Sequence, residues 1–188
     1  MYLNKIKLPN ISAFYKNSTY VVKTKNEEAN IKIINGKVSS VYYKTILDKK
    51  FIKLSKKSFK TRIIGKDNFK RKVIHFLYPK NKKFKLRLGI THHSKLSSWS
   101  SLPHKFETNL ERGFEEFFFY LLKNSPKTAI QVGQGVWHNS KKVSKSWLVK
   151  DKTFSVIPMG YHPVVGLPNV KVSYIWAYIA KYKRWEKI

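Results

Sequence analysis

The alternation of hydrophobic and polar positions along this chain predicts a protein built from β-strands. Apolar, β-branched and aromatic residues occur in short runs that recur about every 8–12 residues, with Gly, Pro, Asn and Asp between them. No segment has a convincing helical period, so the pattern indicates an all-β sandwich or barrel. Residues 1–19 have no clear period and are predicted to be irregular. The predicted strands cover residues 20–24, 31–34, 37–43, 51–54, 58–64, 72–78, 84–88, 114–122, 128–132, 147–149, 153–157 and 170–180.

One local feature predicts its structure in detail. Asn35-Gly36 lies between two runs rich in β-branched residues, 31–34 and 37–43. A two-residue hairpin turn needs positive φ at both central positions, and Asn followed by Gly accepts that conformation at little cost. We therefore predict a tight hairpin here.

Composition narrows the class of protein. The 188 residues are 42% hydrophobic and 15% aromatic, which is enough for one core or two small lobes and excludes a disordered chain. The absence of Cys excludes disulfides, thiolate catalysis and Cys-ligated zinc. No window approaches the roughly 18 apolar residues of a membrane span, and the N-terminal residues lack the features of a signal peptide. We expect a cytoplasmic location and no membrane partner.

The strongest compositional bias is charge. There are 39 Lys and Arg against 10 Asp and Glu, a formal net charge of +29. Such a field attracts polyanions. Only five of the basic residues are Arg, whereas recognition of base edges and phosphate forks relies on Arg, so nucleic acid is disfavoured as a partner. A Lys excess is also typical of an AT-rich genome, so a merely solvated basic surface stays open.

Three side chains suited to metal binding lie on separate segments: His104, Glu116 and His162. In an extended strand, Glu116 shares a face with Phe114, Phe118 and Tyr120. A carboxylate buried among aromatic rings is costly unless a cation or a hydrogen-bond donor satisfies it. Parity alone leaves two readings open, an inward Glu116 or a Glu116 that faces solvent.

The segment around His162 is stiffened by its neighbours. Pro158 and Gly160 predict a tight turn, and Pro163 restricts the exit, so His162 is expected at a rigid corner.

Several motifs together resemble one family. Pro158-Met-Gly-Tyr-His-Pro-Val resembles the second metal motif of cupin barrels, in particular that of the 5-deoxyglucuronate isomerase / 5-keto-4-deoxyuronate isomerase family. Trp99-Ser-Ser-Leu-Pro-His-Lys resembles the Trp-Ser-Ser-Tyr-Pro-Pro-His-Lys-His-Asp segment of that family, and Phe114-Glu-Glu-Phe-Phe-Phe-Tyr resembles its Leu-Glu-Glu and following aromatics. Segments 129–132, 172–174 and 183–185 are also similar, and the resemblance covers roughly residues 70–188.

The resemblance implies a cupin-type β-barrel, a jelly roll, over residues 71–188. Residues 1–70 are then an abbreviated or diverged N-terminal β half. The family implies a divalent metal, zinc or manganese, held by three His and one Glu, and His104, Glu116 and His162 match three of these ligands. Phe106 stands where the second His belongs, and the spacing from Trp99 to His104 is one residue shorter than in the family. Two His and one Glu still leave open coordination positions, with weaker affinity.

The resemblance further implies the isomerisation of an acidic or deoxy sugar, an aldose–ketose interconversion. Such a reaction needs a base near the reacting carbons. Lys105, Tyr161 and Tyr174 are the candidates for this role, and Gln131 and Trp99 are candidates for contacting the sugar.

Two other functions stay open. A metal-poor cupin that only binds a sugar or glycan precursor is favoured by Phe106. A basic β-protein that binds single-stranded nucleic acid through Lys-rich loops and exposed aromatics is the other. A homodimer formed through edge strands is a further expectation.

The remaining histidines are expected to play lesser parts. His92 and His93 are predicted loop residues because adjacent strand positions would point to opposite faces. His138 is predicted in a turn and is a fallback fourth ligand, and His75 is predicted to be a satisfied core residue.

Overall fold

A computed structural model describes residues 4–78, 85–100 and 115–179 of the chain. Within these ranges the chain is all-β, as predicted, and its helical elements are two short 3₁₀ turns, Lys56–Ser58 and Asp67–Phe69. No helix in this part of the chain is long and apolar enough to cross a membrane. The strands are β1 Lys5–Lys7, β2 Ile11–Lys16, β3 Thr19–Thr24, β4 Glu27–Ile34, β5 Lys37–Thr45, β6 Ile52–Lys53, β7 Lys60–Ile64, β8 Arg71–Leu77, β9 Leu86–His93, β10 Glu116–Lys123, β11 Thr128–Val136, β12 Lys142–Lys150, β13 Phe154–Ile157, β14 Met159–Tyr161, β15 Val164–Gly166 and β16 Lys171–Ile179.

The first six strands form an antiparallel sheet in sequence order. The predicted hairpin is confirmed: Asn35 and Gly36 join β4 to β5 with φ of 51° and 66°. The prediction that residues 1–19 are irregular is wrong, because β1 and β2 pair there. Pro9 and Asn10 interrupt the apolar positions between these strands, and each strand is too short to show a period by itself.

A second sheet lies at the centre of the fold, in the order β13-β10-β16-β9-β8-β7. One face, which includes Phe117, Phe119 and Leu121, packs with residues of the N-terminal sheet in one hydrophobic core. The opposite face, which includes Phe118 and Tyr120, belongs to a second core. A sheet that is covered on both sides favours an unbroken apolar sequence over an alternating one, which explains the aromatic run of β10.

The third sheet, β12-β11-β14 with β15 also paired to β11, contributes the other side of the second core. The predicted tight turn at Pro158 and Gly160 is wrong, because Met159–Tyr161 is a short strand paired with residues 134–136 of β11. Gly160 lies opposite Gly135, and both have positive φ, 116° and 154°. A Cβ on Gly135 would lie 1.8 Å from the Met159 carbonyl oxygen, so glycine here permits a close strand approach rather than a chain reversal.

The predicted division at residue 70 falls between β7 and β8, which pair in the central sheet. The N-terminal sheet itself ends earlier, with β6. The two-part division of the chain and the pairing of two copies through edge strands both stay predictions.

Candidate functional site

Glu116 and His162 come together inside the second core. Oε2 of Glu116 lies 3.9 Å from Nε2 of His162, and the two residues are 8% and 5% exposed. Glu116 opens β10, and His162 follows β14 at the entrance to β15. The predicted face of Glu116 is confirmed, because Phe118 and Tyr120 lie in the same core, and its burial removes the solvent-facing alternative.

The electrostatics of this pair favour a bound cation. Burial raises the pKa of the Glu116 carboxyl from its ordinary 4.5 to about 8, because the ionised form is poorly solvated there. A positive ion beside the carboxylate offsets that cost. Carboxylate oxygen and imidazole nitrogen are also the donors that zinc and manganese accept, so these side chains fit the metal that the family resemblance implies.

Gln131 holds the segment that carries His162. Its side chain is fully buried, and Nε2 donates to the carbonyl oxygens of His162 at 2.8 Å, Pro163 at 3.0 Å and Val132 at 2.9 Å. Its Oε1 accepts a hydrogen bond of 2.8 Å from the Tyr120 hydroxyl. Both the oxygen and the nitrogen of the amide therefore bond to protein groups. These bonds hold the protein together and do not provide the predicted contact with a sugar hydroxyl.

Tyr174 forms part of an aromatic wall next to the pair. Its ring stacks on Phe118 with centroids 4.2 Å apart, and Phe118 in turn meets the His162 ring edge-on at 5.9 Å. Burial is the main cause that raises the pKa of Tyr174, and the Glu116 carboxylate acts in the same direction. The phenol is therefore protonated at neutral pH and is a donor rather than a ready base.

Arg71 is a candidate that the sequence reasoning missed. It is 8% exposed, lies opposite His93 in the β8–β9 ladder, and is close enough for its charge to lower the pKa of Tyr174. Nη1 donates to the Phe69 carbonyl oxygen at 3.1 Å. The signal was present in the strand, since Arg71 shares its parity with Val73, which belongs to the second core.

The other predicted site residues are less central or lie outside the described residues. Tyr161 is half-buried on β14, opposite Gln134. Trp99 is half-buried and forms an isolated antiparallel β-bridge with Val165. Its backbone N–H donates to the Asn68 carbonyl oxygen at 3.2 Å. His104, Lys105 and Phe106 lie outside the described residues. Within the residues that are described, no cluster of three or more His, Asp or Glu side chains is arranged to hold a metal ion.

Of the remaining histidines, His75, His92 and His93 lie on the central sheet, and His138 follows β11 of the third sheet. The loop prediction for His92 and His93 is wrong, since they end β9, but they do face opposite sides: His93 is 1% exposed and His92 is half-buried. The ladder to β16 extends regular pairing to this point, which sequence alternation alone did not reveal. His75 is buried as predicted, and His138 lies in the predicted turn.

Comparison with known proteins places the chain in a family. The model of the KduI/IolB family matches residues 10–188. The chain belongs to the KduI/IolB family. It is 28% identical over 181 residues to a 5-deoxy-glucuronate isomerase of Halalkalibacterium halodurans, and the match covers 92% of this chain. The chain spans 65% of the length of that relative.

A solved structure supports the fold. An IolB-like protein from Salmonella typhimurium superposes with a TM-score of 0.62 at 15% identity, over 96% of this chain and 67% of that one. The cupin-type β-fold that the sequence resemblance implied is confirmed, and at this level of identity the similarity speaks to fold alone.

Proposed function

We propose that this protein is a metal-dependent isomerase of an acidic sugar, of the kind named in its 5-deoxy-glucuronate isomerase relative. The observation that carries the proposal is the buried Glu116–His162 pair, which lies among aromatic rings in a chain of the KduI/IolB family. A carboxylate and an imidazole facing each other in an apolar interior are otherwise an expensive arrangement.

In this proposal His104 joins Glu116 and His162 in holding a divalent cation. Such a cation supplies Lewis-acid polarisation of a sugar carbonyl. Three protein ligands leave coordination positions for substrate oxygens, so Phe106 in place of a fourth ligand is compatible with catalysis.

The protein's own side chains then bind the sugar and exchange protons with it. Arg71 is suited to the acid group of the sugar, because a buried guanidinium offers a planar fork of donors to a carboxylate. The Tyr174 hydroxyl lies in the electrostatic range of both Arg71 and Glu116. Because burial keeps the Tyr174 phenol protonated, it is suited to donate a hydrogen bond to a sugar oxygen, while Lys105 and Tyr161 stay candidates for the base that moves the proton between carbons. Phe118 and Trp176 belong to the apolar core on this face of the sheet, and in this proposal they keep water away from the reacting groups.

The principal alternative is a cupin that binds a sugar without converting it. We propose to test this by measuring metal content in protein purified without chelators and by following 5-deoxy-glucuronate conversion by NMR. The isomerase proposal expects about one divalent ion per chain and conversion of the sugar. Absence of both bound metal and sugar conversion would support the alternative, a cupin that binds the sugar without converting it.

Glu115 and Glu116 provide a matched pair of variants. The two carboxylates are adjacent in sequence, but Glu115 accepts hydrogen bonds from the backbone N–H of Asn10 at 2.9 Å and from its Nδ2 at 2.7 Å. Glu116→Gln and His162→Ala should lose metal and activity, whereas Glu115→Gln should retain both. If Glu116→Gln and His162→Ala both retain full metal occupancy, the metal is not bound by this pair.

A further inference from the structure

A cavity lies on the face of the central sheet that is opposite to Glu116 and His162. It has a volume of about 990 Å³ and is lined by residues of β5, of the segment around β6, and of the strands β7 to β9 and β16. The apolar residues that line the cavity belong to or pack against the core that contains Phe117, whereas Glu116 and His162 lie on the face of Phe118. His93 also lines the cavity, and its ring contacts Tyr174 on that other face. Apart from that contact, the cavity is separate from the proposed isomerase site.

Strand register brings polar groups of the central sheet together at this cavity. Lys72, His92 and Ser173 lie opposite one another across β8, β9 and β16. Lys123 lies opposite Lys171 at the end of the β10–β16 ladder. All five residues line the cavity.

The cavity is strongly positive. Six lysines line it: Lys37, Lys53, Lys56, Lys72, Lys123 and Lys171. None of the described lining residues is Asp or Glu. Ammonium groups gathered around one concavity repel each other, and a bound anion relieves that repulsion.

Contacts at the floor of the cavity give it a defined polar centre. His92 Nδ1 and Ser173 Oγ are 2.8 Å apart, and Lys171 Nζ donates to the Ser94 carbonyl oxygen. The pKa of His92 is lowered, first by burial and then by the charges of Lys72, Lys171 and Lys123. The charges of three ammonium groups therefore act on the same imidazole, in agreement with their positions around the cavity.

The shape and chemistry of the lining select one class of ligand. Phe59, Ile74, Phe76 and Ile90 add apolar surface suited to an organic group. The volume is that of a small-molecule site, and the cations surround a hollow rather than follow a nucleic-acid backbone. No Arg is among the described lining residues, so an anion would be held by the point charges of ammonium groups, and a phosphate with nearly two negative charges gains more from several of them than a carboxylate with one.

We propose that this cavity binds a small organic phosphate, with the phosphoryl group held by Lys72, Lys123, Lys171 and the His92–Ser173 pair. Its apolar surface then receives the organic part of the ligand. The proposal does not depend on the isomerase function, because none of these residues belongs to the Glu116–His162 side of the sheet.

The experiment is calorimetric titration at physiological salt with glucose 6-phosphate and adenosine 5′-monophosphate, and with glucose and adenosine as uncharged counterparts. We expect saturable one-to-one binding of at least one phosphate and none of the uncharged compounds. The His92 ring resonances should shift during the same titration when followed by NMR. If neither phosphate binds saturably, the proposal is overturned.

A pair of double variants separates a specific site from general attraction. Lys72→Gln/Lys171→Gln should weaken phosphate binding by roughly tenfold or more, since each neutralised ammonium removes a contact or a near charge. Lys141→Gln/Lys142→Gln removes the same charge from exposed positions at and beside the start of β12 and should leave affinity unchanged.

Two further outcomes would also overturn the proposal. Equal weakening in both double variants would assign binding to net charge alone. Tighter binding of a single-stranded oligonucleotide, with a stoichiometry that scales with its length, would assign the basic surface to nucleic acid.

The melting temperature of the Lys72→Gln/Lys171→Gln protein in phosphate-free buffer should equal or exceed that of the wild type, because repulsion between the ammonium groups is relieved. This measurement excludes misfolding as the cause of lost binding.

Discussion

The side-chain amide of Gln131 donates a 2.8 Å hydrogen bond to the backbone carbonyl of His162, 31 residues further along the chain. The same nitrogen reaches the Pro163 carbonyl, so one buried amide ties β11 to the segment between β14 and β15. This contact fixes the backbone from which the His162 imidazole projects toward Glu116. Gln131 is therefore a positioning residue for the proposed metal site.

Gln131→Met should disturb that site without removing a proposed ligand. Methionine has a similar length but can neither donate to the His162 carbonyl nor accept from the Tyr120 hydroxyl, and a buried polar group that loses its partner costs about 1–3 kcal/mol in stability. Loss of such outer support typically lowers metal affinity by about 10–100-fold. Metal affinity is measured by competition with a chelator, and stability by urea unfolding.

Gln134→Met is the matched control, because Gln134 lies on the same strand with an exposed side chain. It should leave metal affinity unchanged. If Gln131→Met loses stability but keeps wild-type metal affinity, Gln131 is structural and does not position His162.

Metal binding should stabilise the folded protein. A ligand that binds only the native state adds about 2.7 kcal/mol at a free concentration of 100 times its dissociation constant. Chelator-treated protein should therefore melt at a higher temperature after Zn²⁺ or Mn²⁺ is added. The shift should be absent in Glu116→Gln and present in Glu115→Gln, and a shift of equal size in all three proteins would place the metal elsewhere.

The sequence predicted the parts of the fold and site that depend on local rules. The Asn35-Gly36 turn needs only two residues of known conformational preference, and the face of Glu116 follows from strand parity. The sequence motif around His162 singled out the segment that lies beside Glu116, although its local structure was wrongly predicted. There the decisive contact is the approach of Gly160 to Gly135, two glycines that are distant in sequence.

Other features depend on long-range pairing that one sequence does not display. Strand parity with Val73 could have indicated the face of Arg71, but its position opposite His93 and near Tyr174 follows only from the pairing of strands that are distant in sequence. The basic cavity is similar: Lys72, Lys123 and Lys171 look like ordinary surface lysines until three strands are aligned. Gln131 was predicted to meet the substrate, and its partners proved to be backbone carbonyls.

Arg71→Gln tests the proposed recognition of the sugar acid group. Removing the guanidinium should raise KM for 5-deoxy-glucuronate by roughly tenfold or more with a smaller effect on kcat, since a charge-assisted pair is worth about 1.5–3 kcal/mol. Metal content should stay at the wild-type level. An unchanged KM would assign Arg71 to packing, where its hydrogen bond to Phe69 already contributes.

Gly89 is predicted to be intolerant of any side chain. A Cβ there would lie 2.2 Å from Cζ2 of Trp176 and 2.5 Å from the Ile74 carbonyl oxygen. Gly89→Ala should therefore cost about 1–3 kcal/mol or more, as for other overpacked sites. Gly133→Ala, where the closest atoms are 2.9 and 3.0 Å away on the side chains of Pro158 and Trp147, should cost less. Urea unfolding checks this order, and the reverse order would contradict the close packing of Trp176 against Gly89.

His93 should make the protein less stable in mild acid. Burial is the main cause that lowers the pKa of His93 from 6.5 to about 4, with the charges of Arg71, Lys171 and His92 adding to it and the hydrogen bond to Ser98 opposing it. Between these two pH values the unfolded chain binds the proton and the folded chain does not, so stability falls as pH decreases from 6.5 toward 4. From about pH 7.5 to about pH 5 the contribution of His93 to this loss should be about 2 kcal/mol.

The His93→Asn variant isolates this contribution. Its amide nitrogen can replace Nδ1 as the donor to the Ser98 carbonyl oxygen, which lies 3.0 Å from Nδ1 in the wild type, but it does not titrate. We expect the variant to be less stable than the wild type near neutral pH because it fills less of the core. Since only the wild type pays the cost of keeping His93 neutral, the difference in free energy of unfolding should shrink by about 2 kcal/mol at about pH 5. A difference that is independent of pH would mean that the His93 pKa is the same in the folded and unfolded chains.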